Sequence, residues 1–205
     1  MDSRILKLRK KLKAKLNPSR YEHSLSVSFT CACLAMRYEY PMDKAELAGL
    51  MHDCAKGYTD KEILNFCEKH KIPVTEAERT APAVLHAKYG AWLAKKRYGI
   101  EDPEILDAIA CHTTGKKEMQ TLDKILYVAD YIEARREKAR NLQAMRKLAF
   151  EDLDEALYQI MKGTLDYLEQ KGSSVDSATA EAFAYYDNER AQKGSAAHTA
   201  GEEEQ

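Results

Sequence analysis

The chain carries six residues that could do chemistry together: His23, the adjacent pair His52-Asp53, His86, His112 and Asp130. Imidazole nitrogen and carboxylate oxygen without any thiolate favour a borderline or hard divalent ion such as iron, manganese, cobalt or nickel. An ion so held lowers the pKa of bound water from about 15.7 to near neutrality and neutralises charge on phosphate oxygens. The chemistry indicated is transfer of a phosphoryl group to water. The anchor is His52-Asp53, behind the apolar run Leu47, Leu50 and Met51. Neighbouring residues on a helix do not face each other, so both can serve one centre only at a helix end or a kink.

A single histidine on an apolar face is ordinarily a hydrogen-bonded core residue. The helical pattern makes the set unusual. Asn17 or Ser19 caps a helix from Arg20 to about Tyr38, on which His23, Val27, Cys31 and Leu34 share a stripe. Asp43 is the expected cap of the helix carrying His52 and Asp53, and Gly57 its expected left-handed end. A helix over 81–98, closed by Gly99, turns Leu85, His86, Tyr89, Gly90 and Leu93 inward. Pro103 opens a helix that ends in His112-Thr113-Thr114-Gly115, and Asp130 follows among Ile125, Leu126, Val128, Ala129 and Ile132. A carboxylate in such company must be paired or metal-bound. Convergence on one site is the simplest reason for each of five helices to bury a metal-type ligand. His70, among charged neighbours, and His198, in a polar tail, fall outside the set.

The remaining composition excludes several classes. A formal net charge of −1 argues against a dedicated nucleic-acid surface. No apolar run reaches membrane-span length, and the basic N-terminus lacks an apolar signal core. The five cysteines form no paired spacing, which fits a reducing, cytoplasmic setting. Residues 1–190 read as one all-α domain and 191–205 as a disordered acidic tail. Lys56, just after Asp53, and Arg136, after Asp130, are placed to hold phosphate charge.

The order H…HD…H…H…D resembles the HD-domain superfamily of metal-dependent phosphohydrolases. More narrowly, Arg20-Tyr21-Glu22-His23-Ser24, His52-Asp53-Cys54-Ala55-Lys56, Val128-Ala129-Asp130-Tyr131-Ile132-Glu133 and Val175-Asp176-Ser177-Ala178-Thr179 are similar to the bacterial YqeK family. The resemblance runs from about Arg4 to Glu189, and departs from the pattern at Ala134 and Ser177, where the family has proline. It implies an all-α HD-domain bundle with a metal site between helices. It also implies symmetrical cleavage of diadenosine tetraphosphate (Ap4A) into two ADP, by a metal-bound hydroxide on an iron-type metal, with one or two ions bound. Carried over by position, His23, His52, Asp53 and Asp130 hold the metal. His86 and His112 face the phosphates or a second ion. Arg20, Lys56, Thr113 and Arg136 contact the nucleotide, and Val175, Asp176, Ser177, Ala178, Thr179 and Ala180 wrap around it. The expected partners are a dinucleoside polyphosphate and its ADP product, with a homodimer as the assembly considered. The alternatives are another HD-type nucleotide phosphohydrolase or a non-catalytic nucleotide-sensing module. The cyclic-dinucleotide branch is disfavoured, because Gly57-Tyr58 is followed by Thr59 where that branch has proline.

Overall fold

A computed structural model describes residues 3–172 and 175–202, with side chains over 4–172 and 175–192. Its helices are α1 (Ser3–Lys13), α2 (Pro18–Arg37), α3 (Met42–Met51), α4 (Asp60–Lys69) and α5 (Glu76–Thr80), then a 3-10 turn (Pro82–Leu85). There follow α6 (His86–Tyr98), α7 (Pro103–Cys111), α8 (Thr121–Ile132), α9 (Leu142–Glu151), α10 (Leu153–Gln170) and α11 (Ser177–Glu202). The described residues form no strand, and none of their helices is long and apolar enough to cross a membrane. The tail expected to be disordered, 191–205, falls mostly outside the description: its side chains from 193 on and its backbone at 203–205.

Local chemistry explains most of the boundaries. Asn17, in extended geometry, accepts a hydrogen bond from the Arg20 N–H at 2.8 Å, and Pro18 occupies the first helical position of α2. Thr59 and Thr75 open α4 and α5 with reciprocal capping boxes to Glu62 and Glu78. Gly99 closes α6 at φ 70° and ψ 31°, as its position requires.

Three expectations are corrected. Asp43 does not cap α3: Pro41 stands at the cap position, with no side-chain hydrogen bond. The segment 81–98 is not one helix, because the 3-10 turn begins at Pro82, which has no N–H to donate. Gly57 is not left-handed, since the glycines with positive φ are Gly99, Gly115 and Gly172. A Cβ on Gly57 would instead lie 2.8 Å from the Lys15 carbonyl oxygen, so glycine is needed there for close approach.

The site is framed by α2, α3, α7 and α8, which pack on one another, with α6 joined through α7. The tightest seam is between α2 and α3, where a Cβ on Gly49 would lie 2.8 Å from the Ser28 Cα. Fully buried Leu34, Leu50, Met51, Ile109, Ile125 and Leu126 fill the interior around it. Each contributes about 1.5–3 kcal/mol by burial. α9 and α10 pack against α8, and α11 lies along α10.

Candidate metal centre

The adjacency of His52 and Asp53 is resolved by the way α3 ends. His52 is the cap residue just past the end of α3, and the chain then winds through tight four-residue turns, Cys54 N–H to Met51 carbonyl at 3.0 Å and Lys56 N–H to Asp53 carbonyl at 2.9 Å. Those turns bring Asp53 round to the same side as His52. The two other buried histidines also sit at helix ends, His112 closing α7 and His86 opening α6.

All three are held in one way. His52 Nδ1 lies 2.7 Å from the Gly49 carbonyl, His86 Nδ1 2.5 Å from that of Ala83, and His112 Nδ1 2.7 Å from that of Ile109. A carbonyl can only accept, so each Nδ1 carries a proton, and each ring, when neutral, presents a bare Nε2. His23 is oriented by a carboxylate instead, with Nδ1 3.2 Å from Glu133 Oε1. Such partners fix ring orientation and tautomer at metal sites.

The Nε2 atoms converge on two carboxylates. Asp53 Oδ2 lies 3.4 Å from His52 and 3.7 Å from His23, while its Oδ1 lies 3.2 Å from His86 and 3.8 Å from His112. Asp130 Oδ1 lies 3.1 Å from His23 and 3.9 Å from His52. Within His23, His52 and Asp130, and within His52, Asp53 and His112, the ligand atoms all lie within 4.8 Å of one another. The Nε2 atoms of His23 and His52 are buried without a hydrogen-bond partner among the described residues. His86 and His112 bring their Nε2 atoms within 3.2 Å, with Thr113 Oγ1 3.3 Å from both. Two bare nitrogens facing each other, with one hydroxyl proton to share, call for a cation. The donor set therefore fits a divalent ion.

The two acids draw positive charge into the cluster. Burial opposes charge on His52, but Asp53 and Asp130 outweigh it and raise its pKa. Burial likewise works against ionised Asp53 and Asp130, and the surrounding imidazoles overcome it and hold both acids below the usual carboxylate range. His112 is pushed down to about 3, first by burial and then by His52 and His86, so its ring stays neutral.

The cations expected to meet phosphate stand at the rim. Arg20 Nη1 is 2.7 Å from Asp53 Oδ2, and Arg136 Nη2 is 3.0 Å from Asp130 Oδ1 and 2.7 Å from its carbonyl. Lys56 is partly buried, and burial lowers its pKa against the pull of Asp53. Residues 175–180 are different. Thr179 is buried and Asp176 Oδ1 accepts the Ala178 N–H at 2.9 Å. Among the described residues no hydrogen bond or ion pair joins Val175, Asp176, Ser177, Ala178, Thr179 or Ala180 to the cluster; nearby, a Cβ on Gly115 would meet Ala182 at 3.4 Å. Glu133 is the residue to which the sequence reading gave no role. Buried at the end of α8, it orients His23 and accepts the Arg135 N–H at 2.7 Å.

The HD domain family model matches residues 20–135, which begin at Arg20 and take in all six ligand-type residues. The chain belongs to the HD-domain family. It is 38% identical over 164 residues to the symmetrical bis(5'-nucleosyl)-tetraphosphatase of Bacillus subtilis, covering 80% of this chain and 87% of that one. It is 33% identical to the protein of that name from Staphylococcus aureus, over 89% of this chain and 94% of the relative. A crystal structure from Clostridium acetobutylicum, described as a predicted HD superfamily hydrolase involved in NAD metabolism, superposes with a TM-score of 0.86 at 38% identity, covering 89% of this chain and 96% of that one. The chain is thus an HD-domain hydrolase related to the symmetrical tetraphosphatases over most of its length.

Proposed function

We propose that this chain hydrolyses diadenosine tetraphosphate symmetrically: water adds to one of the two central phosphorus atoms, the bridging oxygen leaves with the other half, and two ADP result. The observation that carries the reading is Asp53, whose two oxygens are divided between the pairs His23/His52 and His86/His112. The two relatives above, which bear the name of that activity, support the choice of substrate.

In this reading His23, His52, Asp53 and Asp130 hold a divalent ion; imidazole and carboxylate without thiolate suit iron, manganese, cobalt or nickel, and the family resemblance selects iron among them. When bound, the ion supplies activated water and neutralises phosphate charge. His86 and His112, with Asp53 Oδ1 between them, face the phosphate chain or a second ion. Thr113 offers its hydroxyl beside both rings. Arg20 and Arg136, already against the ligand carboxylates, are within reach of phosphate oxygens. Lys56 adds charge after the His52-Asp53 turn, and residues 175–180 close over the nucleoside. The five free cysteines suit a cytoplasmic setting.

Product analysis tests the proposal. Metal-loaded protein given Ap4A should release ADP alone, and Asp53→Ala should release none. ATP plus AMP from the wild type, or full activity in the variant, would contradict it.

A further inference from the structure

Beside the metal centre an open cleft of about 500 Å³ lies between the start of α2 and the turn 133–138. Its size is within the range of small-molecule sites, about 300–1,000 Å³. His23 lines both the cleft and the metal cluster, so the two are continuous. The cleft wall carries Arg20, Arg135, Arg136 and Lys138 against two acids, Glu133 and Glu137. Glu133 is already engaged by His23 and by the Arg135 N–H. The first turn of α2, which borders the same cleft, holds no acid, and its dipole adds partial positive charge.

The four cations are of two kinds. Arg20 and Arg136 lie against Asp53 and Asp130. Arg135 and Lys138 do not. Arg135 reaches only Glu22, at 3.8 Å, with side chains 59% and 48% exposed, which is a weak surface pair. Lys138 has no ion pair among the described residues.

The turn that bears them is nevertheless held firmly. Arg146 on α9 donates to the carbonyls of Ile132 at 2.8 Å, Glu133 at 2.7 Å and Arg136 at 3.1 Å, and the Arg136 N–H bonds the Glu133 carbonyl at 3.1 Å. A guanidinium behind the turn fixes its course, as a binding element requires. Cations on such a turn, open to the cleft and leading away from the metal centre, match a short anionic chain running outward.

We infer that this cleft seats a nucleoside diphosphate, the half of the substrate that leaves, and that Arg135 and Lys138 are its outer phosphate contacts. The inference rests on the proposed dinucleotide hydrolysis and names where one product half lies. Arg146 is a positioning residue, acting through the turn.

The test is calorimetric titration of the full chain with ADP and, separately, with inorganic pyrophosphate. Wild type, R135A/K138A and R135K are compared, with folding checked by circular dichroism. R135A/K138A should weaken ADP and pyrophosphate alike by about tenfold or more, the loss expected of one or two charge-assisted contacts. R135K should stay within about threefold of wild type, because the positive charge facing the phosphate is kept. Unchanged ADP affinity in R135A/K138A would overturn the inference, as would a loss for ADP without one for pyrophosphate, or no ADP binding by the wild type. If ADP binding depends on these residues while Ap4A stays intact, the hydrolase proposal fails and the cleft stands. If Ap4A is split while ADP binding ignores them, the reverse holds.

Discussion

Gly49→Ala places a methyl group at the seam between α2 and α3. The new carbon would lie 2.8 Å from Ser28 Cα, 3.0 Å from Ser28 N and 2.9 Å from Cys31 Sγ. Two of those neighbours are backbone, and Ser28 is further tied by its hydroxyl to the Glu46 carbonyl at 2.8 Å. Helix propensity alone would favour alanine by about 1 kcal/mol. Overpacking costs about 1–3 kcal/mol, so the net loss is up to about 2 kcal/mol. At about 2–4 °C per kcal/mol for a chain of this size, the melting temperature should fall by up to about 8 °C. A second effect reaches the metal, because the Gly49 carbonyl holds His52 Nδ1 at 2.7 Å. Tilting that ring should weaken metal binding by about 10–100-fold. Gly163→Ala on α10 is the control, since its Cβ would meet nothing within 4 Å. That substitution should stabilise by up to about 1 kcal/mol and leave metal affinity alone. Thermal unfolding and metal titration on both variants decide the matter. Refutation would be a Gly49→Ala protein as stable as wild type that binds metal equally well.

Glu133→Gln replaces the charged partner of His23 Nδ1 and should weaken metal binding by about 10–100-fold, read by competition with a chromophoric chelator. Chelation of the wild type should lower its melting temperature, because an ion at a thousand times its Kd contributes about 4 kcal/mol. Asp53→Asn should bind no metal and melt at the same temperature with or without chelator. Arg146→Ala removes the guanidinium donor from three carbonyls, of which that of Glu133 keeps the Arg136 N–H. It should raise KM for Ap4A more than it lowers kcat, measured by steady-state ADP release.

The helices were legible because apolar residues recur at helical spacing and because Asn17, Gly99 and Pro103 mark their boundaries by local chemistry alone. The six ligand-type residues were legible for a related reason: polar groups that are costly to bury stood on apolar faces. The departures lie where a distant segment decides. Gly57 answers to the carbonyl of Lys15, a neighbour only in the folded chain. Glu133 follows an apolar helix like many surface acids, and its partner His23 stands 110 residues away in sequence. Arg136 was read as a phosphate contact from its charge and Arg20 as a nucleotide contact from the resemblance, and the carboxylates of Asp130 and Asp53 that they touch are visible only once α2, α3 and α8 are packed together.

An anomalous difference map at a metal absorption edge, from crystals of protein purified without chelator, tests the central claim most directly. The expected result is a peak within about 2.0–2.3 Å of His23, His52, Asp53 and Asp130. A metal-replete crystal with no peak among these four side chains would contradict it.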